Sequence, residues 1–486
     1  MIKIFDFISL KPSILLFLNI GLVFIIIFLG RHKSPKSTLM WAMVMTLIPI
    51  VGFILYLLLG QDYKKRKMFK LKEEEDYFLS SITNYQANFM ESGKFLGNNE
   101  KTKEYYDLIR LNLNSDESFY TDDNKIDIFF QGKTKFESLL NDIDNAESSI
   151  DIQYYIFKSD LIGSELIRRL ENKQAQGVKV RLLYDGVGGR FLKKHDLDKL
   201  KELGADVEIF FPNLIRRFNL RLNYRNHRKL VIIDNKIGYI GGFNVGDEYL
   251  GLDKNFGFWR DTHIRVEGSA VAGIKFRFLK DFNYASKKTD PRAESFSRPS
   301  KTAGNSGIQI ITSGPDTKYE NIKNMMFKMI TSAKDRVVIQ TPYFIPDDTI
   351  LDAIKTASVS GVDVSIMIPK NPDHPFVLWA SLSYLGEVIA SGAKAYLYDE
   401  GFMHCKMLLV DEYLSTIGSA NMDIRSFSLN FESNALIFDD DVNQKLYNQF
   451  LEDVKNSEEL TLEKYESRNK LVKIKESFSR LLSPIL

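Results

Sequence analysis

The stretch Asn226-His227-Arg228-Lys229-Leu230-Val231-Ile232-Ile233-Asp234, followed by Gly241-Gly242-Phe243-Asn244, decides the fold, because the chain contains it twice. The second copy reads Met403-His404-Cys405-Lys406-Met407-Leu408-Leu409-Val410-Asp411, then Gly418-Ser419-Ala420-Asn421. Both are His-x-Lys-x-x-x-x-Asp, and both reach an Asn 17 positions after the His. The chain holds only six histidines, so two at matched places in matched frames mark a duplication.

Leu230 to Ile233 is apolar and rich in β-branched residues, the pattern of a buried strand. Side chains alternate along a strand, so His227 and Lys229 face the same way while Asp234, seven residues on, faces the other. The imidazole and ammonium therefore read as chemical groups and the aspartate as an anchor at the strand's end. Asp234 and Asp411 are still counted with His227, Lys229, His404 and Lys406 in the catalytic set, as members of the motif. Gly242 and Ser419 lie where the backbone must approach a ligand closely. An imidazole beside a fixed cation suits attack on phosphate, with His as nucleophile or proton carrier and Lys as charge clamp. Asn244 and Asn421 can donate amide hydrogens to phosphoryl oxygens. This chemistry needs no metal and no cofactor. Cys405 sits at an odd offset from both His404 and Lys406 and reads as packing.

Outward from the motif the pattern alternates. Strands are predicted at Ile126–Phe130, Ile150–Phe157 and Gly177–Asp185, with helices at Phe136–Ala146 and Ser164–Gln176. The same order returns as strand Ile308–Ile311, helix Ile322–Ala333, strand Val337–Phe344, helix Asp348–Ser360 and strand Gly361–Ile368. Matched positions 153/340, 177/361 and 227/404 lie 187, 184 and 177 residues apart, a drift that a few loop insertions explain. The fold class is α/β: two similar lobes of mixed β-sheet flanked by helices, related by a pseudo-twofold with one site at their interface. The first lobe is placed at 121–290, a Ser/Pro/Gly/Lys-rich linker at 291–307 and the second lobe at 308–456.

Two apolar runs, about 14–30 and 39–60, approach the roughly 20 residues of a spanning helix. No small-x-small cleavage site separates them, so residues 1–62 read as a transmembrane hairpin preceding the lobes, with 63–120 as a charged helical connector. Lys64-Lys65-Arg66-Lys67, Lys70 and Lys72, with Lys3 and Lys11, outnumber the basic residues of the turn between the runs. The positive-inside tendency then puts both ends, and the lobes, on the cytoplasmic side of the cell membrane. With 65 basic and 63 acidic residues the net charge is +2, which argues against nucleic acid as partner. A single cysteine excludes an internal disulfide framework and a cysteine-based zinc site. Phe210–Arg221 and Leu471–Leu482 mix bulky apolar groups with bases and suit either an anionic lipid surface or packing between lobes. Of the remaining histidines, His263 reads as a satisfied structural residue, His195 as exposed and His374 as a loop residue near a substrate mouth. Tyr155, Tyr343 and Tyr384 read as core.

The two motifs resemble the duplicated motif of the phospholipase D superfamily. Arg221-Leu222-Asn223-Tyr224-Arg225-Asn226-His227-Arg228-Lys229 and Asn421-Met422-Asp423-Ile424-Arg425-Ser426-Phe427 resemble bacterial cardiolipin synthases in particular. So do Gly246-Asp247-Glu248-Tyr249 and Trp259-Arg260-Asp261-Thr262-His263, and the likeness runs over most of the chain. It implies two phospholipase D-like lobes and a membrane-bound phosphatidyltransferase. One phosphatidylglycerol would give its phosphatidyl group to a histidine, releasing glycerol, and a second phosphatidylglycerol would take it to form cardiolipin. The resemblance implies His227 as nucleophile and His404 as acid, then base. A nucleophilic His works better with a carboxylate on its other ring nitrogen; the candidates are Glu432 for His404, where the resemblance also implies an acid against the motif histidine, and Asp261 for His227. A phospholipase D passing the group to water is the nearest alternative. A catalytically silent membrane scaffold is the alternative from another class.

Overall fold

The computed structural model describes residues 35–48, 77–92, 99–212, 224–287 and 303–483, with isolated positions 20, 21, 23, 24, 52, 56 and 97. Residues 1–71 with 215–223 form one compact unit, and residues 72–214 with 224–486 form another.

In the first unit, helix α1 (Pro35–Leu47) starts inside the basic segment expected to be the hairpin turn. Pro35 suits a first helical position, where a missing N–H costs nothing. Trp41 and Met45 are buried, and the Trp41 ring meets Tyr56 edge-on at 5.4 Å. Most of the two expected spans, 14–30 and 39–60, lies outside the described residues. Among the described residues no helix is long and apolar enough to cross a membrane.

The second unit opens with α2 (Tyr77–Glu91) and α3 (Tyr106–Asp116), and the duplication follows. The first lobe runs β1 (Thr121–Gln131), α4 (Gly132–Asp144), β2 (Ser149–Tyr154), α5 (Leu161–Ala175), β3 (Lys179–Asp185), α6 (Lys194–Glu202), β4 (Asp206–Phe210), β5 (Leu230–Ile233), β6 (Ile237–Gly241), β7 (Trp259–Glu267) and α7 (Ala270–Ser286). The second runs β8 (Ser306–Ser313), α8 (Asn321–Ser332), β9 (Arg336–Gln340), α9 (Asp348–Val359), β10 (Asp363–Pro369), α10 (Pro375–Ala390), β11 (Lys394–Tyr398), β12 (Met407–Val410), β13 (Leu414–Gly418), then a short α11 (Ile424–Ser428), β14 (Glu432–Phe438) and α12 (Asp440–Lys455). Two terminal helices, α13 (Leu462–Glu466) and α14 (Lys470–Leu481), close the chain.

Strand order shows the pseudo-symmetry directly. The path is β4-β3-β2-β5-β6-β7-β1, then β8-β14-β13-β12-β9-β10-β11, so each strand answers the one numbered seven higher. The first strands of the lobes pair with each other, antiparallel, through Thr121↔Ile308 and Asn124↔Ser306. Within each lobe the strands linked by crossover helices are parallel, while the motif strands and their neighbours are antiparallel. This is the mixed sheet expected. Helices α5 and α9 begin at capping aspartates, Asp160 accepting from Gly163 N at 3.1 Å and Asp347 from Ile350 N at 3.0 Å. Both end at a left-handed glycine, Gly177 (φ +92°) and Gly361 (φ +95°), where only glycine is free of strain. Each lobe has its own core; Leu108, Ile109 and Leu113 of α3 sit in that of the second, so this stretch of the expected connector is built into a lobe. Of the linker placed at 291–307, residues 291–302 lie outside the described residues, and Ser306 already belongs to β8.

Candidate active site

The motif strands bring their histidines to the seam between the lobes. His227 donates its backbone N–H to Phe431 O at 2.9 Å, and His404 donates to Arg260 O at 2.7 Å. Phe431 and Arg260 each stand one residue before a carboxylate, Glu432 and Asp261, at equivalent places on β14 and β7. Each histidine therefore rides on the opposite lobe's carboxylate-bearing strand, and the side chains cross with it. His227 Nδ1 lies 3.0 Å from Glu432 Oε1, and His404 Nδ1 lies 2.7 Å from Asp261 Oδ2. This reverses the expected partners: Glu432 serves His227 and Asp261 serves His404. The reason is the seam register, which pairs each motif segment with the other lobe rather than with its own.

Lys229 and Lys406 sit beside their histidines, Lys229 Nζ donating to His227 O at 2.5 Å and Lys406 Nζ to His404 O at 2.6 Å. Lys406 Nζ also lies 2.9 Å from His404 Nδ1. Lys229 feels the charges of Glu432, Lys406 and Asp261, and His404 feels both lysines, so the two half-sites form one electrostatic cluster. Burial and the neighbouring Lys406 lower the Lys229 ammonium to about 8, against the pull of Glu432 and Asp261. Lys406 is lowered by burial as well. Burial and the flanking ammonium of Lys406 push His404 down to about 4, although Asp261 opposes them. Asp261 is pushed up by burial, but Lys406 and His404 outweigh this and hold the carboxyl below its ordinary range.

Several expected roles are corrected. Asp234 accepts from Ser148 N (2.7 Å), Ser149 N and Glu147 N (2.9 Å each), and Asp411 accepts from Asp335 N (2.8 Å) with Lys334 N and Arg336 N (3.1 Å each). Both take a left-handed backbone, φ +53° and +51°. They are anchors that tie the strand end to the preceding helix–strand turn, and they do not join the histidines. Asn244 is buried: Nδ2 donates one hydrogen to the Tyr249 hydroxyl at 3.0 Å and Oδ1 accepts from Ile156 N at 3.0 Å. Its carbonyl holds the backbone next to Tyr155, just past the end of β2, and one amide hydrogen remains for a phosphoryl oxygen. Asn421 is buried too, with Oδ1 unpartnered and its amide bonded to Asp423. Gly242 and Ser419 both act on the carboxylates. A Cβ at Gly242 would fall 1.9 Å from Asp261 Oδ1, while Ser419 Oγ donates to Glu432 Oε2 at 2.5 Å. Cys405 is fully buried and its thiol is raised to about 12 by burial, as suits packing. His263 is fully buried with neither ring nitrogen hydrogen-bonded, not satisfied as expected. His195 is exposed, and His374 precedes α10 in an exposed loop.

Other residues belong to the site although their sequence context reads as core. Tyr155 lies over the His227 ring, centroids 4.2 Å apart, and Asn430 Nδ2 stands 3.3 Å from His227 Nδ1. Trp259 and Phe402 flank His404 at 5.3 and 5.9 Å. Tyr343 hydrogen-bonds Asp373, whose charge reaches Lys406. Among the described residues no group of three or more His, Cys, Asp and Glu side chains is arranged to hold a metal ion.

The family model described as cardiolipin synthase, phospholipase D-like domain, matches residues 139–263 and 326–454, one stretch in each lobe. A second, phospholipase D–nuclease N-terminal, matches residues 17–61. A cardiolipin synthase of Oceanobacillus iheyensis is 48% identical over 480 residues, covering 98% of this chain and 99% of that one. The major cardiolipin synthase of Bacillus subtilis is 47% identical over 98% of this chain and 99% of its own length. Among solved structures, the phosphatidylserine synthase of Haemophilus influenzae shares the fold, with a TM-score of 0.58 and 17% identity over 74% of this chain and 95% of that one. With both lobes matched and near half of all positions identical from end to end, the chain belongs to the cardiolipin synthase family of phospholipase D-like phosphatidyltransferases.

Proposed function

We propose that the crossed histidines transfer a phosphatidyl group between two phosphatidylglycerol molecules. The observation that carries the reading is that both Nδ1 atoms face a buried carboxylate of the other lobe, which leaves both Nε2 atoms for the reaction. His227 Nε2 attacks phosphorus; the bond from phosphorus to the glycerol oxygen breaks, and His404 delivers a proton to that oxygen. His404, now neutral, takes the proton from a hydroxyl of the second lipid, whose oxygen attacks phosphorus and displaces His227 to give cardiolipin. Lys229 and Lys406 hold the phosphoryl oxygens as charge gathers on them. Burial and Lys406 favour the neutral His404 imidazole, and an anionic phosphodiester beside it favours the imidazolium needed for the first step. The apolar runs at 14–30 and 39–60, with the match of the N-terminal family model, support a membrane hairpin holding the lobes on the cytoplasmic face.

The test is product analysis in vesicles with phosphatidylglycerol labelled in both its acyl chains and its head group. Cardiolipin and free glycerol are expected. Phosphatidic acid without cardiolipin would make the protein a hydrolase and defeat the lipid-acceptor reading.

A further inference from the structure

We propose that α14 is a docking helix that seats on an anionic bilayer surface. The proposal rests on the phospholipid reading above. Its basis is an inverted amphipathic helix. Leu471, Ile474, Phe478 and Leu481, spaced three, four and three residues apart, are 65%, 64%, 57% and 75% exposed, so they form one outward stripe. The side facing the protein carries polar groups instead. Glu476 and Ser479 are buried, and Glu476 takes a bidentate pair from Arg468 at 2.5 and 2.8 Å. Arg480 turns the same way, to Ser383 and Glu387 on α10. The polar contacts of Glu476 and Arg480 face the protein with the half-buried Val472 and Leu482, and the stripe of Leu471, Ile474, Phe478 and Leu481 stays in water. That arrangement raises the free energy of the isolated lobes and is relieved by an apolar neighbour.

Charge identifies the neighbour. Lys470, Lys473 and Lys475 are exposed around the stripe, the distribution of a helix lying in a headgroup layer with bases reaching to phosphate. The surface continues along α10: Lys475 Nζ stands 4.9 Å from the Trp379 ring, and Trp379 packs on Phe376, itself 45% exposed, at 5.4 Å. The loop leading into α10 carries Asp373, the group whose charge reaches Lys406. The terminal helix and the start of α10 thus share one apolar and basic surface.

Cys405, the chain's one cysteine, is buried, so a fluorophore attached to Phe478→Cys reports α14 alone. Val359→Cys on α9, at a site 74% exposed, serves as control. In full-length protein reconstituted into phosphatidylethanolamine–phosphatidylglycerol vesicles, the Phe478 label is expected to be quenched by brominated acyl chains and shielded from iodide, unlike the control. Equal iodide quenching at both sites overturns docking. Shielding that persists in detergent and grows with protein concentration would mean a second copy covers the stripe. Shielding equally strong in phosphatidylcholine vesicles overturns the preference for anionic lipid. Leu471→Glu combined with Phe478→Glu is expected to slow cardiolipin formation on vesicles about tenfold, yet spare turnover of short-chain phosphatidylglycerol in detergent. Equal loss on both substrates means a folding defect and defeats the proposal. Wild-type protein that makes no cardiolipin would remove the substrate reading alone, because quenching is read without turnover.

Discussion

The two half-sites share a strand frame and its His–Lys pair but not all the residues around them, and the substitutions come in compensating pairs. Each lobe buries an aspartate on its last helix, Asp281 on α7 and Asp453 on α12, and each aspartate accepts from a matched glutamine, Gln153 at 2.7 Å and Gln340 at 2.8 Å. The guanidinium that neutralises it comes from different places. Beside Asp281 it is Arg228, directly after the motif histidine; beside Asp453 it is Arg260, directly before the carboxylate of β7. Across the seam Arg228 faces Phe431, and Arg260 faces Cys405. The arginine has changed sides of an equivalent pair while the buried charge stays balanced. A second exchange follows the same logic. The short Asp261 lies against Gly242, and the longer Glu432 is held by the hydroxyl of Ser419. Duplication preserved what the chemistry requires, a carboxylate on Nδ1 and a paired buried acid, and let the donors drift.

If the halves act as nucleophile and proton carrier, their equivalence in geometry breaks in kinetics. His227→Ala is expected to lower cardiolipin formation by about 10⁴-fold or more, and His404→Ala by a similar factor. The labelled intermediate separates them. Incubated with acyl-labelled phosphatidylglycerol, the His404→Ala protein should retain acid-labile label on His227, while His227→Ala should retain none. Label on His404 in the His227→Ala protein would reverse the assignment.

The arginine exchange predicts equal structural cost on both sides. Asp281→Ala leaves Arg228 unpaired in the interior, and Asp453→Ala does the same to Arg260. Each is expected to lose about 3–5 kcal/mol of stability, read by denaturant unfolding. A loss confined to one lobe would show that the two networks are not equivalent. The Gly–Asp and Ser–Glu pairs predict an unequal response. Gly242→Ser drives a side chain into Asp261 and should cut kcat about 100-fold by pulling the carboxylate from His404. Ser419→Gly removes one hydrogen bond from Glu432 and should cost about tenfold.

Much of this was legible in the chain itself. The His-x-Lys spacing places both groups on one strand face whatever surrounds them, and the odd step to Asp234 and Asp411 turns those side chains toward the strand-end turn. The matched Gly177 and Gly361 are ends of equivalent helices because a left-handed residue is required there. The crossing of Asp261 and Glu432 was not legible, since it depends on how two lobes register across a seam, a contact of residues more than 140 positions apart. Tyr155 lies in a run indistinguishable from core, and only the fold lays it on an imidazole. Asn244 has the right residue type and offset for a phosphate ligand, but no spacing reveals that Ile156 and Tyr249 take its carbonyl and one amide hydrogen. The periodicity of Leu471–Leu482 was plain, but which side faces water follows from where Arg468 and Arg480 find partners.

The last contrast between the halves concerns their lysines. Lys229 is lowered from 10.5 to about 8, chiefly by burial. If the Lys229 ammonium grips the phosphodiester, that grip is lost as pH rises through about 8, and kcat/KM should fall about tenfold per pH unit above that point. Stability moves the other way. Between about 8 and 10.5 the unfolded chain holds the Lys229 proton and the folded chain has released it, so deprotonation relieves a folded-state penalty that is complete below 8. Activity and the Lys229 contribution to stability thus have opposite slopes over one window. Lys229→Arg, which stays charged throughout, should carry the alkaline limb beyond this range at the cost of some rate. An unchanged limb in that variant would assign it to Lys406, buried in the other half-site, and make the second lobe the one that limits grip on the phosphate.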